Sequence, residues 1–181
     1  MNTFILHLYN LMCNLLPETR CWGLKRTMLR CAGANIGNNV RIVSSASYFL
    51  SGPLEVGDDT WIGHYVSIVG GDALVRIGHS CDIAPKVMLV TGSHEINYQE
   101  CGRVAGYGYS LPIIIEDESW VCAGSVILGG TTIGRHSIVA AGSVVKGEFP
   151  ERSLIGGNPA KVLRQITALN VKKAPADCED K

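Results

Sequence analysis

Several absences narrow the sequence first. Neither charge is in excess, because 16 Lys and Arg balance 16 Asp and Glu across 181 residues. Without a basic surplus the chain has no general attraction to polyanions, so a nucleic-acid partner is not expected. No CxxC pair occurs among the seven cysteines, which stand apart at Cys13, Cys21, Cys31, Cys81, Cys101, Cys122 and Cys178. An odd, scattered set argues against a disulfide framework or a zinc knuckle and for free thiols in a reducing, cytoplasmic setting. Long apolar runs are missing too. Residues 1–16, MNTFILHLYNLMCNLL, have no basic leader or cleavage pattern and are interrupted by His7, Asn10 and Asn14. Neither a signal peptide nor a spanning helix is expected there. Aromatic residues are few, at 7%, against 21 glycines, a balance that suits a turn-rich β protein built on Val and Ile.

What is present is a period of six. From Ile115 to Lys146, residues Ile115, Val121, Ile127, Ile133, Val139 and Val145 recur at one position, and Ser119, Ser125, Thr131, Ser137 and Ser143 follow four places after the first five. Helices repeat apolar residues every three or four places and simple strands every two, so a strict six with glycine punctuation fits neither. It predicts a parallel β-helix of hexapeptides. Each hexapeptide is a short strand and a turn, with its aliphatic side chain inward and its small residue at a corner. One rung buries almost nothing, so stability has to come from stacking about 4.8 Å apart.

The same register starts at Ile36 and Ile42, slips by two residues around Tyr48 to Pro53, and resumes at Val56, Ile62 and Ile68. It slips by three across Gly71 to Arg76 and returns at Ile77, Ile83 and Leu89. Both slips are expected at corners, since the register recovers. From Gly92 to Pro112, GSHEINYQECGRVAGYGYSLP has no inward series. An insertion of that length in a repeat protein is expected to project from one face and to carry function. Residues 34–166 form the expected β-helix domain with its projecting loop 92–112.

Residues 1–33 are expected to be an N-terminal helical element. Phe4, Ile5, Leu8, Leu11, Met12, Leu15 and Leu16 fall on one helical stripe that ends at Pro17. A second segment, Glu18 to Cys31, sets Arg20, Lys25, Arg26 and Arg30 around Trp22, Met28 and Leu29. Two roles are open to it: a cap on the first rung, or a basic amphipathic contact with the inner face of a membrane. After Pro150, IGGNPAKVLRQI reads as a turn and a short C-terminal helix, and 167–181 as a polar, disordered tail.

The hexapeptide ladder, TGSHEI, YSLPIII, Trp120 at the end of the first resumed hexapeptide, AAGSVV and the closing GNPAKVLR together resemble the hexapeptide-repeat acetyltransferases with a left-handed β-helix. Within that family the chain looks most like the maltose and galactoside O-acetyltransferases and the polysaccharide O-acetyltransferases, over roughly Ile36 to Ile166. The resemblance implies a homotrimer with active sites between subunits, acetyl-CoA as acyl donor, a saccharide acceptor and no metal. Polysaccharide acceptors are preferred to free sugars because TGSHEI is most similar to that branch.

Moving an acetyl group to a sugar hydroxyl requires a base for the hydroxyl proton, and an imidazole of pKa near ~6.5 suits that task. His94 alone lies in the projecting loop, and it matches the family's catalytic histidine. Arg103, Tyr107 and Tyr109 are candidates for holding the acceptor. For acetyl-CoA the resemblance implies contacts at Ala123 and Ala141, Trp120 at the thioester end, and Lys161 and Arg164 at the nucleotide phosphates. Lys146 is a further candidate, although the family commonly has Thr-Lys where this chain has Lys146-Gly147. Two rivals differ in class. One is a trimeric scaffold without activity. The other is a zinc protein of the gamma carbonic anhydrase type, which shares the fold and would draw on His64, His79 and His136.

Overall fold

A computed structural model describes residues 1–97 and 102–167. Two helices, α1 (Thr3–Cys13) and α2 (Trp22–Cys31), precede six coils. Coil 1 holds β1 (Asn35–Ile36), β2 (Arg41–Ile42) and β3 (Ser47–Phe49), and coil 2 holds β4 (Leu54–Val56), β5 (Trp61–Ile62) and β6 (Ser67–Val69). Coil 3 holds β7 (Val75–Ile77), β8 (Asp82–Ile83) and β9 (Met88–Val90). An arm of β10 (Gly92–Ile96) and β11 (Ala105–Ser110) then leaves the body. Coil 4 holds β12 (Ile113–Ile115), β13 (Trp120–Val121) and β14 (Val126–Leu128); coil 5 holds β15 (Thr131–Ile133), β16 (Ile138–Val139) and β17 (Val144–Val145). Coil 6 contributes β18 (Glu148–Phe149) and β19 (Ser153–Gly157), before β20 (Ala160–Gln165) turns back.

The first, second and third strands of each coil stack into parallel sheets A, B and C, the three faces of a left-handed β-helix. Ile115, Val121, Ile127, Ile133, Val139 and Val145 are fully buried in one continuous core with Ile36, Ile62, Ile83 and Leu89. Burial of each such side chain is worth about 1.5–3 kcal/mol. Both slips fall at the corner between sheets C and A, where Ile36 still pairs with Val56 and Val56 with Ile77. A shortening escapes the period-six reading: Ile133 pairs with Phe149, where three hexapeptides would have placed residue 151.

The small residues do more than make room. Ser119, Ser125, Thr131 and Ser137 are buried, and each hydroxyl donates to a carbonyl 13 to 15 residues further along the chain, at Gly134, Ala140, Val145 and Pro150 (3.3, 3.0, 3.2 and 3.3 Å). The corners thereby satisfy polar groups that would otherwise be buried without partners.

α1 and α2 cap the open edge of coil 1. An uncovered sheet edge presents unpaired backbone groups, and each edge strand here receives a side chain. Arg30 donates to the Ile36 carbonyl of sheet A (2.9 and 2.7 Å), and Lys25 to the Ile42 carbonyl of sheet B (2.9 Å). On sheet C, Asn10 mimics a peptide, donating to the Tyr48 carbonyl (2.8 Å) and accepting from its N–H (3.1 Å). Arg26 serves the corner at Val40 (3.0 Å). Lys25 is wholly buried, its ammonium also donating to the Glu18 carbonyl (2.9 Å) and lying over Trp22, and burial holds its pKa below the usual lysine value. Three of the four cations in this basic segment thus face the β-helix.

The expected C-terminal helix is instead β20, antiparallel to β19 (Leu154↔Arg164, Gly156↔Lys161). The last coil offers unpaired strand groups, and pairing with them outweighs the helical tendency of AKVLRQ. The described part of the projecting loop likewise forms strands, with β10 antiparallel to β11. The expected tail, with residues 168–181, lies outside the described residues.

Burial also sets thiol reactivity. Cys81 is 2% exposed, and burial pushes its pKa up to about 11; Cys13 is buried, whereas Cys21 and Cys31 are exposed. A thiol reagent at neutral pH, read by peptide mass, is expected to label Cys21 and Cys31 and to spare Cys13 and Cys81 until the fold opens. Rapid labelling of native Cys81 would contradict the packing described.

Candidate active site

His94 projects from the arm where β10 faces β11. Their register sets His94 opposite Gly108 and Ser93 opposite Tyr109, with an irregularity between His94 and Ile96. Cross-strand partners share a face of the ribbon, so the imidazole meets glycine where the tyrosines would crowd it. A Cβ on Gly108 would sit 3.6 Å from His94 Cε1, in contact with the ring. The ring is held from the other strand, with Nδ1 3.0 Å from the Gly106 carbonyl. A carbonyl only accepts, so this bond places a proton on Nδ1 and leaves Nε2 as the lone-pair nitrogen. Among the described residues Nε2 has no hydrogen-bond partner.

His94 borders an open depression with Asp72, Gly92, Ser93, Gly108, Tyr109 and Ser110. Asp72, Ser93 and Ser110 were not singled out from the sequence. Asp72 lies within the three-residue slip, the one trace of it there. Of the acceptor candidates, Tyr109 lines this depression and is 38% exposed. Tyr107 is 86% exposed and borders a different cavity with Glu95, Ile96 and Asn97, and Arg103 is exposed near the arm's tip.

The residues expected at acetyl-CoA are elsewhere. Ala123 and Ala141 occupy equivalent turns at the corner between sheets B and C, joined by a bond from the Gly142 N–H to the Ala123 carbonyl (3.0 Å). Both are exposed, and the neighbouring Gly124 and Gly142 have φ of +71° and +70° with nothing within 4 Å of an added Cβ. The result is a smooth, open corner where backbone is accessible. Trp120, 48% exposed, stands on sheet B beside it. Lys161 and Arg164 are exposed on β20 at the end of the same sheet. Lys146 is exposed after β17, at the corner between sheets C and A. Small residues followed by paired cations suit a thin acyl arm ending in phosphates.

One chain therefore holds its two candidate half-sites apart. The arm leaves the corner between C and A, whereas Ala123 and Ala141 lie at the corner between B and C, with all of sheet C between them.

The remaining loop histidines each have their own carboxylate: His64 with Glu18 (3.6 Å), His79 with Asp117 (3.3 Å) and His136 with Glu118 (2.7 Å). They sit on two different corners, and no three His, Cys, Asp or Glu side chains converge among the described residues.

A family model described as bacterial transferase hexapeptide (six repeats) matches residues 112–147. The Escherichia coli K12 protein WcaF, named as a colanic acid biosynthesis acetyltransferase, is 33% identical over 138 residues, covering 76% of this chain and 72% of that protein. The chain belongs to the hexapeptide-repeat acetyltransferases. Galactoside O-acetyltransferase of the same organism is 28% identical over 175 residues, spanning 88% of this chain and 85% of its own. A hexapeptide-repeat acetyltransferase of Vibrio cholerae, solved in complex with acetyl coenzyme A, superimposes with a TM-score of 0.76 at 29% identity, covering 91% of this chain and 87% of that one. Against acetyltransferase-named relatives from Saccharomyces cerevisiae and Schizosaccharomyces pombe, the chain spans about half their length, 56% and 44%. Within this family, His94 and the corner of Ala123 and Ala141 are the two halves of the candidate site.

Proposed function

We propose that the protein transfers an acetyl group from acetyl-CoA to a saccharide hydroxyl, with His94 as general base. The observation that carries this reading is the 3.0 Å contact from His94 Nδ1 to the Gly106 carbonyl, which leaves Nε2 as the lone-pair nitrogen of a residue that lines an open depression. Acetyl-CoA supplies the acyl group as a thioester. His94 Nε2 accepts the proton of the attacking hydroxyl and returns it to the departing sulfur, so the imidazole ends neutral. Ser93, Asp72 and Tyr109 can hold the acceptor, and Ala123 and Ala141 leave backbone open to the donor. The likeness of TGSHEI and of WcaF favours an acceptor from polysaccharide synthesis over a free sugar, in the cytoplasm. No helix among the described residues is long and apolar enough to cross a membrane. Contact with a membrane surface would rest on the exposed Phe4, Leu8, Leu11 and Leu15 of the N-terminal segment, since the α2 cations face inward.

Sheet C supports a trimer. Its outward side chains in coils 3 to 5 include Met88, Val90, Val126, Leu128 and Val144, an aliphatic surface between the two half-sites. Packing this face on a neighbour would bring one chain's arm to another's corner. Val126→Asp is expected to yield monomers that neither sediment as trimers nor transfer acetyl; a trimeric Val126→Asp protein would remove sheet C from the interface.

Calorimetric titration of the metal-stripped protein with acetyl-CoA tests the donor half without knowledge of the acceptor. Saturable binding, one site per chain, is expected. No binding by folded protein would overturn the transferase reading.

A further inference from the structure

The chain has three tryptophans, and all three lie on one face. Trp61 and Trp120 stand in the outward column of sheet B, whose successive members in coils 1 to 4 are Arg41, Trp61, Asp82 and Trp120. Trp22, from the start of α2, meets Trp61 edge to face at 5.9 Å, and the Arg41 guanidinium lies over Trp61 at 5.0 Å. A cavity opens beside them, lined by Trp22, Arg41 and Asp59. The other faces differ in kind: the column of sheet A carries an ion pair from Arg76 to Glu55 (2.8 Å), and that of sheet C runs from Ser47 and Ser67 to aliphatic side chains in coils 3 to 5.

Indoles serve badly as solvent-facing residues unless they contact something, because their large apolar surface stays wet. A pyranose offers what this column can bind. Its C–H faces stack on indole, and its hydroxyls donate to carboxylates such as Asp82 and Asp59 and accept from Arg41. From Arg41 to Trp120 the column spans three rungs, ~14 Å at about 4.8 Å each, which exceeds one sugar ring. Trp120 is the end nearest the donor corner.

We infer that the outward face of sheet B binds the acceptor as an oligosaccharide or polymer, running from Trp120 at the transfer end to the cavity beside Trp22 and Arg41. This rests on the transferase reading above and specifies its acceptor as a chain of sugars. Asp82, whose pKa burial raises and Arg41 draws back down, sits midway as a partly desolvated hydroxyl acceptor.

Tryptophan fluorescence reports directly on this face. The protein would be titrated with α-glucan, β-glucan, galactan and N-acetylhexosamine sugars, each as monosaccharide and as longer oligomer, with acetyl-CoA titrated separately. At least one oligomer is expected to bind about tenfold or more tightly than its monosaccharide. Arg41→Gln and Trp22→Ala are each expected to remove that length advantage while leaving acetyl-CoA affinity unchanged. Two variants are needed because Trp22 also contacts the buried Lys25. Equal affinity for monomers and oligomers, no binding of any oligomer, or a length advantage intact in both variants would overturn the inference. If acetyl-CoA binds normally in those cases, the transferase reading stands; if oligomers bind and acetyl-CoA does not, that reading falls instead.

Discussion

Replacing His94 by alanine is expected to lower acetyl transfer about 10²–10⁴-fold, the usual worth of a positioned general base. That corresponds to roughly 3–5 kcal/mol of transition-state stabilisation. His94 is exposed on the arm, away from the core, so its removal should change stability by no more than about 0.5 kcal/mol. Acetyl-CoA affinity should also hold, because the donor corner at Ala123 and Ala141 is built by a different part of the chain. The test is release of the CoA thiol in the presence of an acceptor the wild type uses, beside the acetyl-CoA titration of the same variant. A loss smaller than tenfold with donor binding intact would exclude His94 as the base. A variant that also lost donor binding would show that the arm and the corner are not separate half-sites.

The largest effect on stability is expected at Lys25. Its ammonium is fully buried and donates to the Glu18 and Ile42 carbonyls at 2.9 Å each. Lys25→Met keeps the aliphatic stem and deletes only the donors; the Glu18 carbonyl keeps the Ser44 N–H (3.1 Å), but the buried Ile42 carbonyl loses its partner, at a cost of about 1–3 kcal/mol. Arg20, in the same segment but exposed, serves as the comparison, with Arg20→Met expected within about 0.5 kcal/mol of wild type. Denaturant unfolding of both variants measures the difference. A Lys25→Met protein as stable as wild type would mean that water or a shifted backbone serves the Ile42 carbonyl.

The residues differ in how much they disclosed before the fold was known. The aliphatic ladder from Ile36 to Val145 was legible because a narrow interior admits one class of side chain at one place per hexapeptide. The basic stripe of α2 was legible as a stripe, but its targets were not, because the carbonyls of Ile36, Val40 and Ile42 lack partners only once the coil is closed. The segment AKVLRQ misled for a related reason. Its own preferences are weak, and the edge of β19 decides its conformation. Within the site, His94 could be selected, yet its partner could not: the Gly106 carbonyl is twelve residues away and faces the ring only through the hairpin's register. Asp72 and Ser110 border the same depression as His94 only through the fold, and apart from the slip that holds Asp72 sequence spacing gives no record of that.

The side-chain amide of Asn10 on Tyr48 has a consequence beyond holding α1 in place. Stacked coils are a one-dimensional crystal, and nothing in the period of six specifies where growth should stop. A bare coil 1 would present the template that another chain's strand extends in a fibril. By occupying both the N–H and the carbonyl of Tyr48, Asn10 terminates the lattice with a group that has no strand beyond it to hand on. The N-terminal helices thereby end the stack at coil 1, as β20 ends it beyond β19, and keep a repetitive sequence finite.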